Sequence, residues 1–340
     1  MLETSVYLHI PFCIHRCGYC DFNTYAGQEA LIPRYVEALC SEIHAAARGF
    51  ARHAAAGAPP GAQPPAGRLA VGTIFFGGGT PSLLSAAQMA AILDALRAAC
   101  EIHPTTEITL EANPGTLSPE HLAGLRQAGF NRISLGVQSA NPVELRLLER
   151  THDFPDVIRS VAWARQAGFD NLNLDLIFGL PEQALSSWQR TLERALALQP
   201  EHFSLYALTL EHGTPFGRLA RRGLLAPPDP DAAAEMYEWA AETLARHGYV
   251  QYEISNWALH RHAPRLDGPG DRQTDPAAAG LSPTANPAYA CRHNLQYWRS
   301  LPWLGLGAGA HGFANRRRTV NTLVPQAYIE RLSGAAAEAD

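Results

Sequence analysis

Short apolar runs alternate with amphipathic stretches along most of this chain. The run at 5–10 puts Val6, Leu8 and Ile10 on one face of a strand, which Pro11 ends. Further strands are predicted at 71–76, 107–111, 132–137, 171–178, 202–208 and 250–254. Helical patterns separate them, at 31–47, at 85–100, from 118, from 142, from 155 and at 185–198. Strands and helices that alternate in this way predict right-handed βαβ units and a parallel sheet.

A repeated segment supports this reading of the chain. The sequence QAGFN at 127–131 recurs as QAGFD at 166–170, and RHGYV at 246–250 is a weaker copy. Each copy ends a helix with glycine, which tolerates the left-handed conformation that closes a helix, and then enters a strand. Six such units, with polar or glycine residues where the strands end, fit an α/β fold of the partial (β/α)6 TIM-type barrel better than a Rossmann sheet.

The length of 340 residues and the hydrophobic content of 46% allow one large domain with a small appendage. We predict a barrel core over 1–235 and a C-terminal region over 236–340. Two stretches rich in alanine, glycine and proline, at 45–68 and 261–288, are predicted to be flexible inserts. The chain closes in GAAAEAD after the pattern at 328–331, so we expect a truncated C-terminal end.

Charge and the N-terminal sequence limit the functional classes. The net charge of -5 gives no general case for nucleic-acid binding, and the arginine run at 316–318 is typical of a solvated face. Glu3 lies where a signal peptide would be positive, and no apolar run is long enough to span a bilayer. We therefore expect a cytoplasmic protein without a transmembrane segment.

Three cysteines, Cys13, Cys17 and Cys20, follow the first strand with the spacing CxxxCxxC. Iron-sulfur clusters normally take four cysteine ligands, so three leave one iron open to a small molecule. A disulfide loop is the weaker alternative, because the chain should occupy a reducing compartment. A zinc site that adds His9 or His15 remains a chemically sound alternative at this point.

Polar and glycine residues occupy the ends of the later strands, and a barrel would bring those ends to one face. They include the turn GGGTP at 77–81, Glu111, Gln138 and Asp175. Each has an ordinary structural explanation, as a tight turn, a helix cap or a salt bridge. Together they suit a ligand that carries amine, carboxylate and hydroxyl groups.

The motifs CxxxCxxC, GGGTP, EANP, GVQS and DLIFGLPEQ, in this order, resemble the radical S-adenosylmethionine (radical SAM) superfamily. More narrowly, they resemble its oxygen-independent coproporphyrinogen III oxidase group, including the haem chaperones of that group. The resemblance implies a 4Fe-4S cluster on Cys13, Cys17 and Cys20, with SAM bound to the fourth iron. It also implies a SAM pocket formed by Tyr7, Tyr19, Gly78, Gly79, Thr80, Glu111, Gln138, Arg150 and Asp175.

The same resemblance favours the chaperones over the oxidase. Asp21 follows the third cysteine where the oxidase carries an additional cysteine, and the N-terminal extension of the oxidase is absent, so oxidase activity is not expected. The segment CRHNLQYW at 291–298 resembles the HNxxYW element associated with haem binding in the chaperones. It implies that His293 is a haem ligand beside Tyr297 and Trp298. His311, in the glycine-rich segment at 304–313, is a second candidate. A histidine among aromatic residues is also typical of a packed structural position.

The expected function is therefore a haem chaperone that carries haem as cargo to acceptor proteins, such as respiratory haemoproteins. A radical SAM protein also implies an electron donor as a partner. The alternative that the resemblance leaves open is the oxidative decarboxylation of coproporphyrinogen III.

Overall fold

The structure, a computed structural model, describes residues 4–56, 68–260, 287–314 and 316–337. Its strands are β1 (Thr4–Ile10), β2 (Phe12–Cys13), β3 (Tyr25–Ala26), β4 (Leu69–Gly78), β5 (Cys100–Ala112), β6 (Arg132–Gln138), β7 (Leu172–Phe178), β8 (His202–Ala207), β9 (Tyr249–Gln251), β10 (Asn256–Leu259), β11 (Trp303–Leu306), β12 (His311–Ala314) and β13 (Arg317–Val320). Its α-helices are α1 (Ile32–Ala56), α2 (Ala86–Ala99), α3 (Pro119–Ala128), α4 (Pro142–Leu147), α5 (Phe154–Gln166), α6 (Leu185–Leu196), α7 (Pro215–Arg221), α8 (Pro230–Arg246), α9 (Arg292–Trp298) and α10 (Pro325–Ala337).

Eleven strands form one sheet in the order β13-β12-β11-β1-β4-β5-β6-β7-β8-β10-β9. The six strands from β1 to β8 in this order are parallel, and each lies beside the next one along the chain. Helices connect them, which confirms the predicted α/β fold with a partial (β/α)6 barrel. On one side β11 adds in parallel to β1, and on the other β10 pairs with β8 in the antiparallel sense.

Local chemistry fixes several helix ends where the sequence predicted them. Ser85 caps α2 in a capping box, because its side chain accepts from the Gln88 N–H while the Gln88 side chain accepts from the Ser85 N–H. Ser118 caps α3, and Pro119 occupies its first position. Gly129 ends α3 at a φ of +113°, a left-handed conformation that glycine adopts without strain.

Two predictions about elements are wrong in part. Residues 45–56 of the predicted insert continue α1, because this stretch is rich in alanine, the best helix former, and its first proline is Pro59. The rest of that insert at 57–67, and the second insert at 261–286, lie outside the described residues. The predicted strand at 250–254 is instead β9, which turns and pairs with β10 in the antiparallel sense.

The main hydrophobic core lies between the sheet and its covering helices, with the strands of the barrel buried almost throughout. The predicted domain boundary after residue 235 falls within α8 and stays a prediction. Within the described ranges, the structure contains no helix that is both long and apolar enough to cross a membrane.

Candidate functional site

A cavity of about 380 Å³ opens where the parallel strands end. Eleven of the thirteen residues predicted for cofactor or metal binding line it: Cys13, Cys17, Tyr19, Cys20, Gly78, Gly79, Thr80, Glu111, Gln138, Arg150 and Asp175. The barrel topology therefore brings the cysteine loop, the glycine turn and the acidic strand ends to one place. The other two predicted residues, Tyr7 and His293, line a second cavity, described below.

The cysteine loop is held against the glycine turn by its backbone. β2 pairs in parallel with β3, so that the chain between them folds back over the end of the barrel. The N–H groups of Gly79 and Thr80 donate to the carbonyl oxygens of Ile10 and Phe12, each at 2.8 Å. The Thr80 hydroxyl also lies 3.5 Å from the sulfur of Cys13. These contacts hold Cys13 in place in the ligand-free chain.

The three cysteines present free thiols at the cavity. Cys13 and Cys17 are buried and Cys20 is half-buried. Burial is the largest cause that raises the pKa of Cys13 and of Cys20, so these thiols hold their protons in the metal-free chain. Metal binding requires thiolates and releases those protons. Three sulfurs on one loop, facing a cavity, fit a cluster that leaves one iron open to a ligand.

The alternative metal and disulfide sites fit less well. None of the three cysteines is in a disulfide. His9 has both ring nitrogens engaged, Nδ1 with the Tyr7 hydroxyl at 3.0 Å and Nε2 with the Asn23 carbonyl at 2.9 Å. His15 directs Nε2 to the Glu149 carboxylate at 2.9 Å. In the part of the chain that the structure describes, no three His, Cys, Asp or Glu side chains are placed as ligands of a single metal ion.

Two buried acids face the cavity from neighbouring strands. Oε2 of Glu111 accepts the Gly78 N–H at 3.1 Å, and burial followed by the charge of Asp175 raises the pKa of Glu111 to about 8. Burial also raises the pKa of Asp175, although its carboxyl accepts from Ser134 at 2.9 Å and from Asn173 at 2.8 Å. A ligand cation placed here would favour the ionised acids, so this wall suits an amine or a sulfonium group.

Arg150 and Gln138 complete the wall near the cysteines. Nη1 of Arg150 lies 3.8 Å from the sulfur of Cys17, and Nη2 donates to the Gly136 carbonyl at 3.0 Å and to the Asn113 side chain. Arg150 is thus half-buried and engaged at the cavity wall, and it is not a solvated surface charge. Gln138 ends β6 at a φ of +65°, where the chain turns away from the sheet.

Two residues that the sequence did not identify hold the cysteine loop from outside. The Glu149 carboxylate accepts the Gly18 N–H at 2.9 Å in addition to its bond to His15. Glu149 has a φ of +53°, a conformation that is uncommon for a residue with a side chain. From α7, the Phe216 N–H donates to the Gly18 carbonyl at 2.9 Å. No sequence motif marked these contacts, because they join segments far apart in the chain.

A second cavity of about 230 Å³ lies inside the barrel and shares Glu111, Ser134, Asp175 and Tyr206 with the first. Tyr7 lines it and directs its hydroxyl to His9, so the predicted contact of Tyr7 with SAM stays a prediction.

His293 also lines this inner cavity, where only 2% of its surface is exposed. Its Nδ1 lies 2.7 Å from the Thr73 hydroxyl, and its Nε2 lies 2.9 Å from the Tyr297 hydroxyl. Burial, followed by the charge of Arg132, lowers the pKa of His293 to about 3. The predicted haem ligand is therefore a neutral imidazole with both ring nitrogens occupied.

Comparison with known proteins identifies relatives of this chain. The family model of the radical SAM superfamily matches residues 7–195. The chain is 38% identical to the "Heme chaperone HemW" of Mycobacterium tuberculosis, over 97% of this chain and 75% of that protein. It is 37% identical to the "Heme chaperone HemW" of Bacillus subtilis, over 97% of this chain and 76% of that protein.

A solved structure shares the fold. The chain matches the coproporphyrinogen III oxidase HemN of Escherichia coli, described as a radical SAM enzyme, with a TM-score of 0.74. The match covers 98% of this chain and 70% of that one at 23% identity, so it supports the architecture alone.

Proposed function

Because this chain belongs to the radical SAM superfamily, in the HemN-like group that includes HemW, we propose that it is a haem chaperone. In this proposal it binds a 4Fe-4S cluster and SAM at the end of the barrel. It carries haem as cargo and delivers it to acceptor haemoproteins, with an electron donor as a further partner. The observation that carries the proposal is the meeting of three free thiols, two buried acids and a glycine turn at one cavity, in a chain whose relatives are named heme chaperones.

The residues of the cavity divide into two roles in this proposal. Cys13, Cys17 and Cys20 hold the cluster, which supplies one electron to the SAM sulfonium when both cofactors are bound. Gly78, Gly79 and Thr80 of the glycine turn meet the methionine end of SAM, and Glu111, whose carboxyl accepts the Gly78 N–H, helps to complete the pocket.

The remaining residues of the cavity close the pocket. Gln138, Arg150 and Asp175 line its wall from the following strands, and Tyr19 contacts Phe216 of α7 at 6.2 Å between ring centroids. Arg150, placed beside Cys17, would add a positive charge next to a thiolate ligand and so would stabilise the reduced, more negative state of a bound cluster.

Two observations support haem as the cargo: the names of the relatives, and the motif in the segment that contains α9. The sequence motif identifies His293 as the ligand, and that assignment remains a prediction. Because both its ring nitrogens are engaged, His293 must give up one of these contacts before it can bind iron.

Anaerobic reconstitution tests the cofactor assignment. The wild-type chain should bind about four iron and about four sulfide per chain, and SAM should change the spectrum of the reduced cluster. The triple variant C13A/C17A/C20A should lose both, whereas Cys40→Ala, at a half-buried cysteine of α1, should retain them. A triple variant that kept its iron and sulfide would refute the cluster site.

Product analysis tests the choice between chaperone and oxidase. The reconstituted chain is incubated with coproporphyrinogen III, SAM and a reductant, and we expect no decarboxylated product. Formation of protoporphyrinogen would replace the proposed function by the oxidase activity.

A further inference from the structure

The inner cavity of about 230 Å³ has polar walls, although the inside of a barrel is usually apolar. Inward-facing residues of such barrels are mostly branched apolar side chains, which pack the interior without a pore. Here the inward positions of three neighbouring strands are polar: Arg132 and Ser134 of β6, Asn173 and Asp175 of β7, and Ser204 of β8. A single water needs only about 10–15 Å³. The barrel therefore encloses a polar space that is large enough for a small molecule.

Most polar side chains on these walls are engaged with one another. Oδ1 of Asn173 lies 2.6 Å from Nδ1 of His202, and its Nδ2 donates to the Ser134 hydroxyl at 2.6 Å. The Ser204 hydroxyl donates to the Asn256 side chain at 2.8 Å. Buried polar groups in native proteins are normally satisfied in this way. These residues therefore need no ligand to complete their hydrogen bonds.

Arg132, at the start of β6, is an exception. Its side chain lines the inner cavity, and only 2% of the residue is exposed. Its Nε is buried without a hydrogen-bond partner, and its guanidinium forms no ion pair with any residue that the structure describes. Glu107 and Asp175 lie close enough to influence its charge but do not pair with it. A buried charge without a bonded partner is costly, so this guanidinium is suited to a bound anion.

A second unsatisfied group adjoins Arg132. Thr109 of β5 pairs with Arg132 in the register of the parallel strands, so the two side chains project to the same side of the sheet. Thr109 is fully buried, and its hydroxyl has no hydrogen-bond partner. Both groups can donate, the guanidinium through its N–H groups and the hydroxyl through its O–H. A ligand whose oxygens only accept hydrogen bonds would satisfy both.

Aromatic surface lies beside these two donors. In the register of the sheet Phe75 pairs with Thr109, and Tyr7 pairs with Phe75. The rings of Tyr7 and Phe75 stack at 6.2 Å between centroids, and both line the inner cavity. One row across β1, β4, β5 and β6 thus places two rings next to two unsatisfied donors. A ligand with an anionic end and an apolar body matches this row.

The charges around the inner cavity favour an anion with a single negative charge. Among the described residues that line it, Arg132 is the only lysine or arginine. His293 is neutral, because burial, followed by the charge of Arg132, lowers its pKa to about 3. A dianion would therefore keep one uncompensated charge beside the carboxyls of Glu111 and Asp175. A carboxylate carries one charge, and its two oxygens match the fork of a guanidinium.

We propose that the inner cavity binds a small monocarboxylate with a compact apolar body, and that Arg132 and Thr109 hold its carboxylate. The site lies one layer deeper in the barrel than the cofactor cavity, because Glu111 follows Thr109 by two residues on the same face of β5. The two cavities share four wall residues, so the ligand enters from the open end of the barrel. This site requires neither a cluster nor haem, and it goes beyond the proposed function.

Isothermal titration calorimetry of the reconstituted full chain, without SAM, tests this site with acetate, butyrate and benzoate as probes. Each probe is compared with its primary amide, which has nearly the same shape and no charge. The carboxylates should bind about tenfold more tightly than the amides, because hydrogen bonds to a charged acceptor are stronger. Butyrate and benzoate should bind more tightly than acetate, because their apolar parts contact the aromatic rings. Inorganic phosphate should bind more weakly than butyrate.

Two variants and one control locate the carboxylate. Arg132→Met removes the charge from a long unbranched side chain, so carboxylate affinity should fall about tenfold or more. Thr109→Val should lower it about threefold and should keep the fold, because the hydroxyl that it removes has no partner within the protein. Thr106→Val is the control and should leave the affinity unchanged. Thr106 is also buried in β5, but it lies on the opposite face and donates to the Val71 carbonyl at 3.1 Å.

Several outcomes would overturn the inference. Equal affinities for carboxylates and amides, or no binding of either at millimolar concentration, would mean that the cavity holds only water. Tighter binding of phosphate than of butyrate would contradict the single charge. Unchanged affinity in Thr109→Val, which tests the site even if Arg132→Met does not fold, would remove the proposed contact. Loss of binding in Arg150→Met with retention in Arg132→Met would place the anion in the outer cavity.

Repetition with the metal-free full chain separates this inference from the proposed function. The carboxylates should bind there with the same affinity, because neither Arg132 nor Thr109 is a proposed cluster ligand. A chain that binds butyrate but forms no cluster would refute the proposed cofactor site and leave the inner site standing. A chain that forms its cluster but shows no preference for carboxylates would refute the inner site alone.

Discussion

Replacement of Glu111 by glutamine removes an ionisable group from the cofactor cavity while it preserves a hydrogen-bond acceptor. The Glu111 carboxyl lies at the end of β5 and accepts the Gly78 N–H at 3.1 Å. Burial is the first cause that raises its pKa from 4.5 to about 8, and the like charge of Asp175 is the second. The amide oxygen of glutamine can accept the same N–H, but the side chain cannot ionise.

The sign of the effect follows from proton binding. Between pH 4.5 and about 8 the folded chain keeps the Glu111 proton, while the unfolded chain has released it. The folded state therefore binds more protons in this window, and its stability falls as pH rises through it. At 1.36 kcal/mol per pH unit, the full loss amounts to roughly 5 kcal/mol. One edge of the carboxyl faces the cavity, so solvent there makes this figure an upper bound.

Denaturant unfolding of the metal-free chain at pH 5, 7 and 9 measures this loss. The unfolding free energy of wild type should fall by several kcal/mol between pH 5 and 9 because of Glu111. In Glu111→Gln the fall over the same pH range should be smaller by that amount. The exposed Glu238 of α8 provides the control, because Glu238→Gln should follow the wild-type curve. Parallel curves for wild type and Glu111→Gln would refute the reasoning that burial keeps this acid protonated.

Two further variants test how the cysteine loop is held. Gly79→Ala would place a Cβ 2.6 Å from the Phe12 carbonyl oxygen, so the loop must shift; cluster content after reconstitution should fall, and stability should fall by about 1–3 kcal/mol. Gly213→Ala, whose Cβ meets nothing within 4 Å, is its control. Glu149→Ala removes the acceptor of the Gly18 N–H, so a chelator should strip the reconstituted cluster faster, whereas Glu149→Gln should retain it more nearly as wild type does. Equal stripping rates for both Glu149 variants and wild type would contradict that role.

Local signals allowed much of the fold to be predicted. Ser85 and Ser118 mark helix starts through bonds to residues three positions along, and Gly129 marks a helix end by its own conformation. Such signals need no knowledge of the rest of the chain. The antiparallel pairing of β9 with β10 could not be predicted in this way, because it depends on which edge β8 leaves free.

The residues of the candidate site also fall into those that local sequence signals could predict and those that they could not. Glu111 and Asp175 could be predicted to face one cavity, because parallel strands end at one side of a barrel. Glu149 and Phe216 could not, because they reach Gly18 from distant segments and no spacing in the sequence records those contacts. The partners of a loop are a property of tertiary packing, whereas the end of a strand is a property of the strand itself.

The two histidines near α9 show what a sequence motif leaves undetermined. The resemblance associates His293 and its aromatic neighbours with haem, but a motif does not specify the direction or the exposure of a side chain. The structure buries His293 between Thr73 and Tyr297, and it leaves His311 exposed at the start of β12. A nitrogen that already has a partner must lose it before it can bind iron, whereas a solvated one exchanges only water. His293 could bind iron only after one of its two hydrogen bonds breaks, so a haem titration of His293→Ala against wild type tests directly whether the motif identifies the ligand.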